Sequence, residues 1–250
     1  MCLKRFMFTL CLVPVVSFAA EIKVLSAGAT KPAVAPLIEN YGKQSGDKLD
    51  VSYGTMGLLQ EKIAAGERAD VIIATVEVAT ELEKQGKIVP GSRVALGNIG
   101  IGIAVREGAP LPDISTPEAL KRTLLKAKSI AYVDPSKGTS GKHFAGVLQR
   151  LGIADAVKSK TVLREGGFAM EAVAKGEAEI GAQQTSEILP VKGIVLVDQL
   201  PDELQKVTTY TAAVMSDARS PQAATAFIGY PTGQDGRATF ASKGFDAPNK

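Results

Sequence analysis

Short β-rich runs alternate with helical patterns along nearly the whole chain, and this alternation constrains the fold more than any other feature. The runs at 22–27, 49–54 and 69–75 have strand character. Each is followed by a helical pattern, the first of which starts near Lys31 and Pro32. A proline is tolerated there because its missing N–H would have no partner in a first helical turn. Three strand-helix units in succession predict a parallel α/β layer.

Two long extended runs, at 96–108 and 207–215, interrupt this alternation. The first is spaced by glycines and carries isoleucine at alternating positions. Runs of this kind can carry a chain from one lobe to another and back, with a hinge between the lobes. We therefore predict two α/β lobes, with lobe I formed by residues 20–97 and 208–250 and lobe II by residues 98–207. A single doubly wound sheet is the alternative.

The first residues have the pattern of a secretory signal peptide. Lys4 and Arg5 precede an apolar run over residues 6–16, and residues 17–19 fit a small-x-small cleavage site. The apolar run is shorter than the roughly 20 residues that span a bilayer. We expect a cleaved leader of residues 1–19 and a mature chain that is soluble in the periplasm and does not insert into the membrane.

Composition removes several classes of site and partner. Both cysteines, Cys2 and Cys11, lie in the predicted leader, so the mature chain would have no disulfide, thiol nucleophile or cysteine metal site. Loss of Lys4 and Arg5 lowers the formal charge from +3 to +1, which leaves no basic excess to attract nucleic acid. His143 is the single histidine of the chain, and alone it does not predict a metal site.

In open α/β sheets, ligands bind beyond the carboxyl ends of the strands, where loop amides and helix N-termini converge. Five loops of this kind are rich in Gly, Ser, Thr or Gln, and they span residues 26–32, 53–57, 134–141, 164–168 and 183–187. Backbone N–H groups and hydroxyls at helix starts favour anions. The sequence therefore predicts a small-anion site, whereas no Ser-His-Asp arrangement or close carboxylate pair follows from the spacing.

The third of these loops leads into a helix and offers the backbone amides of Thr139 and Ser140. Gly138 and Gly141 are separated by two residues, whereas a P-loop needs four, so a nucleotide phosphate is disfavoured. His143 follows in the first helical turn. It is interpreted either as a residue that hydrogen-bonds locally or as a ligand contact.

The fourth loop sets Arg164 and Glu165 immediately before Gly166 and Gly167. An arginine presents a planar fork that matches a carboxylate, and glycines permit close approach of the backbone to a ligand. Glu165 has two interpretations, a functional carboxylate or a residue that offsets the local helix dipole.

Neutral donors come from the second and fifth loops. Thr55 and the amide of Gly57 are candidate donors, while Met56 between them is expected to pack. Gln183 and Gln184 stand at a strand end, and because adjacent strand residues point to opposite faces, we expect one of the two to face the cleft.

Four segments carry a family resemblance: "IKVLSAGATKPAV", "VSYGTMGLLQEKIAAGERADVIIA", "DPSKGTSGKHFAGVLQRLGI" and "GEAEIGAQQTSEI". Together they resemble the molybdate-binding-protein family of ABC-importer solute receptors. The resemblance implies the two-lobed type II periplasmic binding-protein fold, an α/β fold with two crossover segments and a ligand cleft between lobes that close on a hinge. It also implies a monomer and, for a transport receptor, an ABC permease as partner.

By the same resemblance, the oxyanion-binding serines of the family fall on Ala29 and Met56 of this chain. The binding tyrosine of the family falls on Gln184, and an alanine whose amide binds oxyanion falls on Ser140. Two hydroxyls and a phenol are thus replaced, which favours a larger organic polyanion over molybdate. The contacts expected from the first loop are Ala29, Thr30 and Lys31.

The pattern from Gly138 to Gly193 resembles a branch of this family that includes periplasmic aconitate isomerases. That branch implies the interconversion of cis- and trans-aconitate by an allylic proton shift, which needs a base and donors that stabilise the developing charge. Glu165 or His143 would then be the base, with no metal or organic cofactor. The alternative is a non-catalytic receptor that delivers a carboxylate or a molybdate-like oxyanion to an ABC permease.

Overall fold

A computed structural model describes residues 19–248. The predicted leader, residues 1–19, lies outside this range except for Ala19. Between residues 19 and 248, no helix is both long and apolar enough to cross a bilayer.

The described residues form ten strands and ten α-helices. The strands are β1 (Glu21–Ala27), β2 (Lys48–Gly54), β3 (Val71–Thr75), β4 (Val94–Ile99), β5 (Ile101–Arg106), β6 (Ile130–Val133), β7 (Thr161–Arg164), β8 (Ile180–Gln184), β9 (Ile194–Gln199) and β10 (Thr208–Val214). The helices are α1 (Lys31–Ser45), α2 (Met56–Ala64), α3 (Val76–Lys84), α4 (Pro117–Lys126), α5 (Thr139–Arg150), α6 (Ala154–Lys158), α7 (Glu171–Ala174), α8 (Thr185–Ile188), α9 (Pro221–Gly229) and α10 (Gln234–Ser242).

The strands make two separate five-stranded sheets, in the orders β2-β1-β3-β10-β4 and β7-β6-β8-β5-β9. β1 pairs in parallel with both β2 and β3, which confirms the parallel layer predicted from the first three strand-helix units. β10 joins β3 and β4 in antiparallel orientation. We refer to the unit built on the first sheet as lobe I and to the unit built on the second as lobe II. The two-lobed α/β architecture predicted from the sequence is thus confirmed.

Two passages connect the lobes. The extended run at 96–108 is divided at Gly100 into β4, which lies in the first sheet, and β5, which lies in the second. The run at 207–215, predicted as the return crossing, instead forms β10 within the first sheet, and the chain crosses just before it, over residues 200–207. The two crossings lie side by side, because Gly100 in the first approaches Gln205 in the second.

Gly100 sits where the two passages touch. A Cβ atom at this position would lie 2.5 Å from Gln199 Oε1 and 3.0 Å from Gln205 Nε2, so a larger residue does not fit without a shift. The Gln205 side chain accepts a hydrogen bond from the Ile101 amide and donates one to the Ile101 carbonyl, both at 2.9 Å. The Gln205 side chain thus stabilises the hinge through hydrogen bonds to the main chain.

Each lobe has an apolar core of its own. In lobe I a single cluster around Leu25, Ile73 and Phe227 fills the space between sheet and helices. In lobe II one cluster around Phe144 lies on one side of the sheet, and another around Met170 lies on the other. Burial of each such side chain contributes about 1.5–3 kcal/mol. Because the cores are separate, the space between the lobes does not have to be filled by apolar packing.

Candidate functional site

All five loops predicted from the sequence contribute to one cavity of about 340 Å³ between the lobes. Lobe I lines it with Ala27, Gly28, Ala29, Lys31, Tyr53, Gly54, Thr55, Met56 and Tyr210, and lobe II lines it with Val133, Gly138, Thr139, Ser140, Gly167, Phe168, Glu171, Gln184 and Glu187. The loops meet because they follow strands whose carboxyl ends face the same space.

The loop after β1 presents Ala29 and Lys31 to the cavity but not Thr30. The Thr30 side chain is fully buried; its hydroxyl donates to the Ala27 carbonyl at 2.8 Å and lies 2.9 Å from the Ser26 hydroxyl. Thr30 therefore stabilises this loop by hydrogen bonds on the side away from the cavity. Lys31 lies at the mouth of the cavity, with its Nζ atom 5.5 Å from the centre of the Tyr53 ring, a distance typical of a cation–π contact.

The loop after β2 combines a helix cap with two side chains that face the cavity. Thr55 Oγ1 accepts a hydrogen bond from the Leu58 amide at 3.3 Å and so caps α2. Met56 is buried and lines the cavity. Tyr53 Oη is buried without a hydrogen-bond partner among residues 19–248, and burial raises the pKa of this phenol to about 12. The Tyr53 hydroxyl is therefore a neutral group with unused hydrogen-bonding capacity at the cavity wall.

Gly57 does not line this cavity but joins the lobes beside it. Its amide donates a hydrogen bond to the Lys137 carbonyl in lobe II at 3.1 Å. A Cβ atom at Gly57 would lie 3.0 Å from the same oxygen, so the main chains approach closely only because no side chain intervenes. Gly57 and His143 belong to a neighbouring cavity of about 660 Å³.

In the third loop, Thr139 and Ser140 line the cavity at the start of α5. A Cβ atom at Gly141 would collide with the Val133 carbonyl oxygen, so this glycine seats the helix start directly on the end of β6. The His143 ring lies farther along the helix, and its Nε2 atom is 2.7 Å from the Leu204 carbonyl oxygen. This histidine hydrogen-bonds within lobe II and does not line the interlobe cavity.

The fourth loop divides its predicted residues between the cavity and the surface. Gly167 lines the cavity, whereas Arg164, Glu165 and Gly166 do not. The Arg164 guanidinium forms an ion pair with Glu177, and Glu165 is exposed. The Arg164 guanidinium, predicted to bind a ligand carboxylate, is thus already paired with a carboxylate of its own lobe.

The two glutamines of the fifth loop have different surroundings. Gln183 is fully buried; its amide donates to the Gly167 carbonyl at 3.0 Å, and its Oε1 atom accepts from the Met170 amide at 3.4 Å. Gln183 therefore braces the fourth loop. Gln184 lines the cavity and donates a hydrogen bond to Tyr210 Oη at 2.9 Å.

Glu187 is a cavity residue that the sequence analysis did not single out. It follows β8 in the first turn of α8 and is 7% exposed. Burial raises the pKa of its carboxyl to about 8, although a hydrogen bond from Gln183 acts in the opposite direction. Burial, followed by the charge of Glu187, also raises the pKa of Tyr210 above its ordinary range. The feature of the sequence that could have identified Glu187 as a cavity residue is its position in the polar loop at 183–187.

Tyr53, Phe168, Glu171 and Tyr210 are further cavity residues that sequence reasoning missed. Within residues 19–248, no cluster of His, Cys, Asp or Glu is suited to hold a metal ion. The cavity instead combines loop amides, hydroxyls and neutral phenols with one ammonium and two carboxyls. Such a lining can hold a small anion and can exchange a proton with it.

Comparisons with known proteins agree with this architecture. A sequence profile of the bacterial extracellular solute-binding protein family matches residues 22–246. Aconitate isomerase from Pseudomonas sp. is 36% identical over 219 residues, which cover 86% of this chain and 83% of that protein. The molybdate-binding protein ModA of Azotobacter vinelandii is 28% identical over 222 residues, which cover 86% of this chain and 85% of that protein.

Among solved structures, the periplasmic molybdate-binding protein of Azotobacter vinelandii matches with a TM-score of 0.78 at 20% identity. The match covers 91% of this chain and 100% of that chain. At this level of identity the likeness establishes a shared fold, and the fold does not identify the ligand.

Proposed function

Since this chain belongs to the bacterial extracellular solute-binding protein family, we propose that it binds a small organic polycarboxylate between its lobes and interconverts cis- and trans-aconitate. The reaction is an allylic proton shift that needs no metal or organic cofactor. The relative named aconitate isomerase supports this reading, because its identity to this chain extends over most of both proteins.

The size and lining of the cavity carry the proposal. The cavity between the lobes has a volume of about 340 Å³. That volume falls in the range of small-molecule sites, about 300–1,000 Å³. Ala29 and Met56 line the cavity and carry no hydroxyl. The cavity therefore suits an organic anion of several carboxylates better than a single tetrahedral oxyanion.

Backbone amides and side-chain donors would hold the carboxylates. The loops after β1, β2 and β6 offer amides, and Thr55, Thr139 and Ser140 offer hydroxyls at the cavity wall. Lys31 contributes a cation at the mouth. Donors fixed before the ligand arrives stabilise charge that spreads into a carboxylate during the proton shift, without reorganisation.

The direct test is turnover. Purified mature protein is incubated with cis-aconitate and the vinyl resonances of the two isomers are followed by proton NMR. We expect conversion toward the equilibrium mixture from either isomer. Binding of aconitate without conversion would reject the isomerase and leave a receptor that supplies an ABC importer.

Ligand choice is tested by titration with aconitate, citrate and molybdate. We expect aconitate to bind most tightly, and the double variant Ala29→Ser, Met56→Ser to gain affinity for molybdate because it restores two hydroxyls. A preference of the unaltered protein for molybdate would contradict the proposal. We also propose a periplasmic monomer, which fractionation of cells and sedimentation of the purified protein would test.

A further inference from the structure

Glu187 is placed where a ligand between the lobes must meet it. Its carboxyl lines the cavity from lobe II, and a Cβ atom on Gly28 of lobe I would lie 3.6 Å from Glu187 Oε1. The carboxyl therefore reaches across the cleft to the loop after β1. Its 7% exposure leaves little contact with bulk water, yet the side chain borders the space that the ligand would occupy.

Among residues 19–248, no ion pair with a cationic side chain holds this carboxyl in its charged form. Among the described residues that line the cavity, the other titratable groups are Lys31, Tyr53, Glu171 and Tyr210. Lys31 is exposed at the mouth and lies against the Tyr53 ring, while Glu171 is exposed and paired with Lys175 at 3.5 Å. The two phenols are neutral, because burial raises the pKa of each.

Resting on the proposed isomerase, we infer that Glu187 carries the substrate proton between the two terminal carbons of the allylic system, first as base and then as acid. Glu187 is a buried carboxyl at the cavity wall, whereas the two residues proposed from sequence lie elsewhere. Glu165 is exposed outside the cavity lining, and His143 is engaged by the Leu204 carbonyl at 2.7 Å.

The step balances within the substrate and one side chain. The Glu187 carboxylate removes a proton from the methylene carbon, and the electrons of that C–H bond form a new double bond to the central carbon. The electrons of the old double bond move to the opposite terminal carbon, which takes the proton back from Glu187. The bond between the methylene carbon and the central carbon is a single bond in the bound substrate and becomes the new double bond. Its conformation at the moment of proton removal therefore sets whether the product is cis or trans.

Tyr210 is positioned to support this step. Its oxygen accepts a hydrogen bond from Gln184 Nε2 at 2.9 Å, so its own O–H hydrogen is available to an acceptor in the cavity. Tyr210 is 2% exposed, and burial, followed by the charge of Glu187, raises the pKa of its phenol. A neutral phenol held in this way can donate to the carboxylate on which negative charge accumulates.

The experiment compares Glu187→Gln with Glu187→Asp and with Glu39→Gln, an exposed carboxylate of α1 that serves as control. Conversion of cis-aconitate is followed by NMR, and binding of tricarballylate, the saturated analogue, is measured by calorimetry. We expect Glu187→Gln to lower kcat by about 10²–10⁴-fold while tricarballylate still binds. The Asp variant should recover part of the rate, and Glu39→Gln should match the unaltered protein.

The pH profile is a readout that a merely structural role would not change. With the pKa of Glu187 near 8, kcat/KM should rise as pH increases toward about 8, and this rise should be absent in the residual activity of the Gln variant.

A Gln variant with kcat within about tenfold of the unaltered protein, against the 10²–10⁴-fold that a lost acid–base group costs, would overturn the role of Glu187 alone. Absence of conversion by the unaltered protein would overturn the proposed function itself. Loss of activity in Glu165→Gln or His143→Gln, with Glu187→Gln active, would assign the base to those residues.

Discussion

Lobe I and lobe II line one cavity with different chemistry. Lobe I contributes the cation Lys31 and the phenols Tyr53 and Tyr210, whereas lobe II contributes both carboxyls, Glu171 and Glu187. The cation and the two phenols thus stand opposite the carboxyl that can accept a proton. Neither lobe alone holds a complete set, so the contact between lobes is part of the site.

The largest effect is expected from removing the Glu187 carboxyl, which lobe II contributes to the cavity. The pKa of Glu187 is about 8 in the folded protein against an ordinary 4.5. Between these values the folded protein keeps a proton that the unfolded chain releases, so the free energy of unfolding falls as pH rises from about 4.5 to about 8. The stabilisation is complete below pH 4.5 and is lost as pH rises through 8. Its upper limit is about 5 kcal/mol.

In Glu187→Gln this fall should disappear, so that the variant gains stability over the unaltered protein at pH 8.5 relative to pH 5. Urea denaturation at the two pH values measures the difference. Glu39→Gln is the control, because an exposed carboxylate should leave the pH dependence unchanged. Parallel curves for the unaltered protein and Glu187→Gln would contradict the buried, proton-binding carboxyl.

The next effect comes from the joint between the lobes. Gly100→Ala would bring a Cβ atom to 3.0 Å from Gln205 Nε2, and displacement of this side chain, with loss of its two hydrogen bonds to Ile101, should destabilise the protein by about 1–3 kcal/mol. Because the hinge sets how the two halves of the site face each other, ligand affinity should fall as well. Thermal unfolding and calorimetry measure the two effects. Gly146→Ala is the control, because a Cβ atom there meets nothing within 4 Å; an equal loss in both variants would reject the steric argument.

The two phenols of lobe I should respond differently to the same chemical change. Tyr210→Phe leaves the Gln184 amide without the acceptor it now has at 2.9 Å, which should cost about 1–3 kcal/mol. Tyr53→Phe removes a buried hydroxyl that has no partner among residues 19–248, so stability without ligand should be unchanged or slightly higher. Both variants should bind aconitate more weakly. Equal loss of stability in the two would contradict this contrast.

The smallest effect is expected at the mouth of the cavity. Lys31→Met keeps much of the packing against Tyr53 and removes the charge. Since Lys31 is exposed, its attraction for an anion is screened by salt, and the loss should amount to about 1 kcal/mol or less of binding free energy. The affinity difference should shrink further between low and high ionic strength. A loss independent of salt would indicate that the ammonium is buried against the ligand.

The fold followed from local patterns that tertiary contacts do not override. The strand-helix units around β1, β2 and β3 combine apolar runs with Thr55 and Thr75, whose hydroxyls cap the following helices. The convergence of five polar loops followed from the rule that ligands collect at strand ends. The crossing at Gly100 was visible as an unusually long extended run.

The role of individual side chains depended on contacts between distant parts of the chain. The Arg164 guanidinium is taken by Glu177 and the His143 ring by the Leu204 carbonyl, and no spacing rule predicts either pairing. Glu187 looks like an ordinary helix carboxylate in "QQTSEI". Its altered pKa arises from burial, to which the Gly28 loop of the other lobe contributes.

The hydrogen bond from the Gly57 amide to the Lys137 carbonyl joins the lobes through main-chain atoms alone. This hydrogen bond does not depend on which side chains surround the ligand. Substitutions at the cavity wall can therefore change what is recognised while this main-chain link between the halves stays intact. A scaffold with this division can therefore change its ligand through a few replacements at the cavity wall.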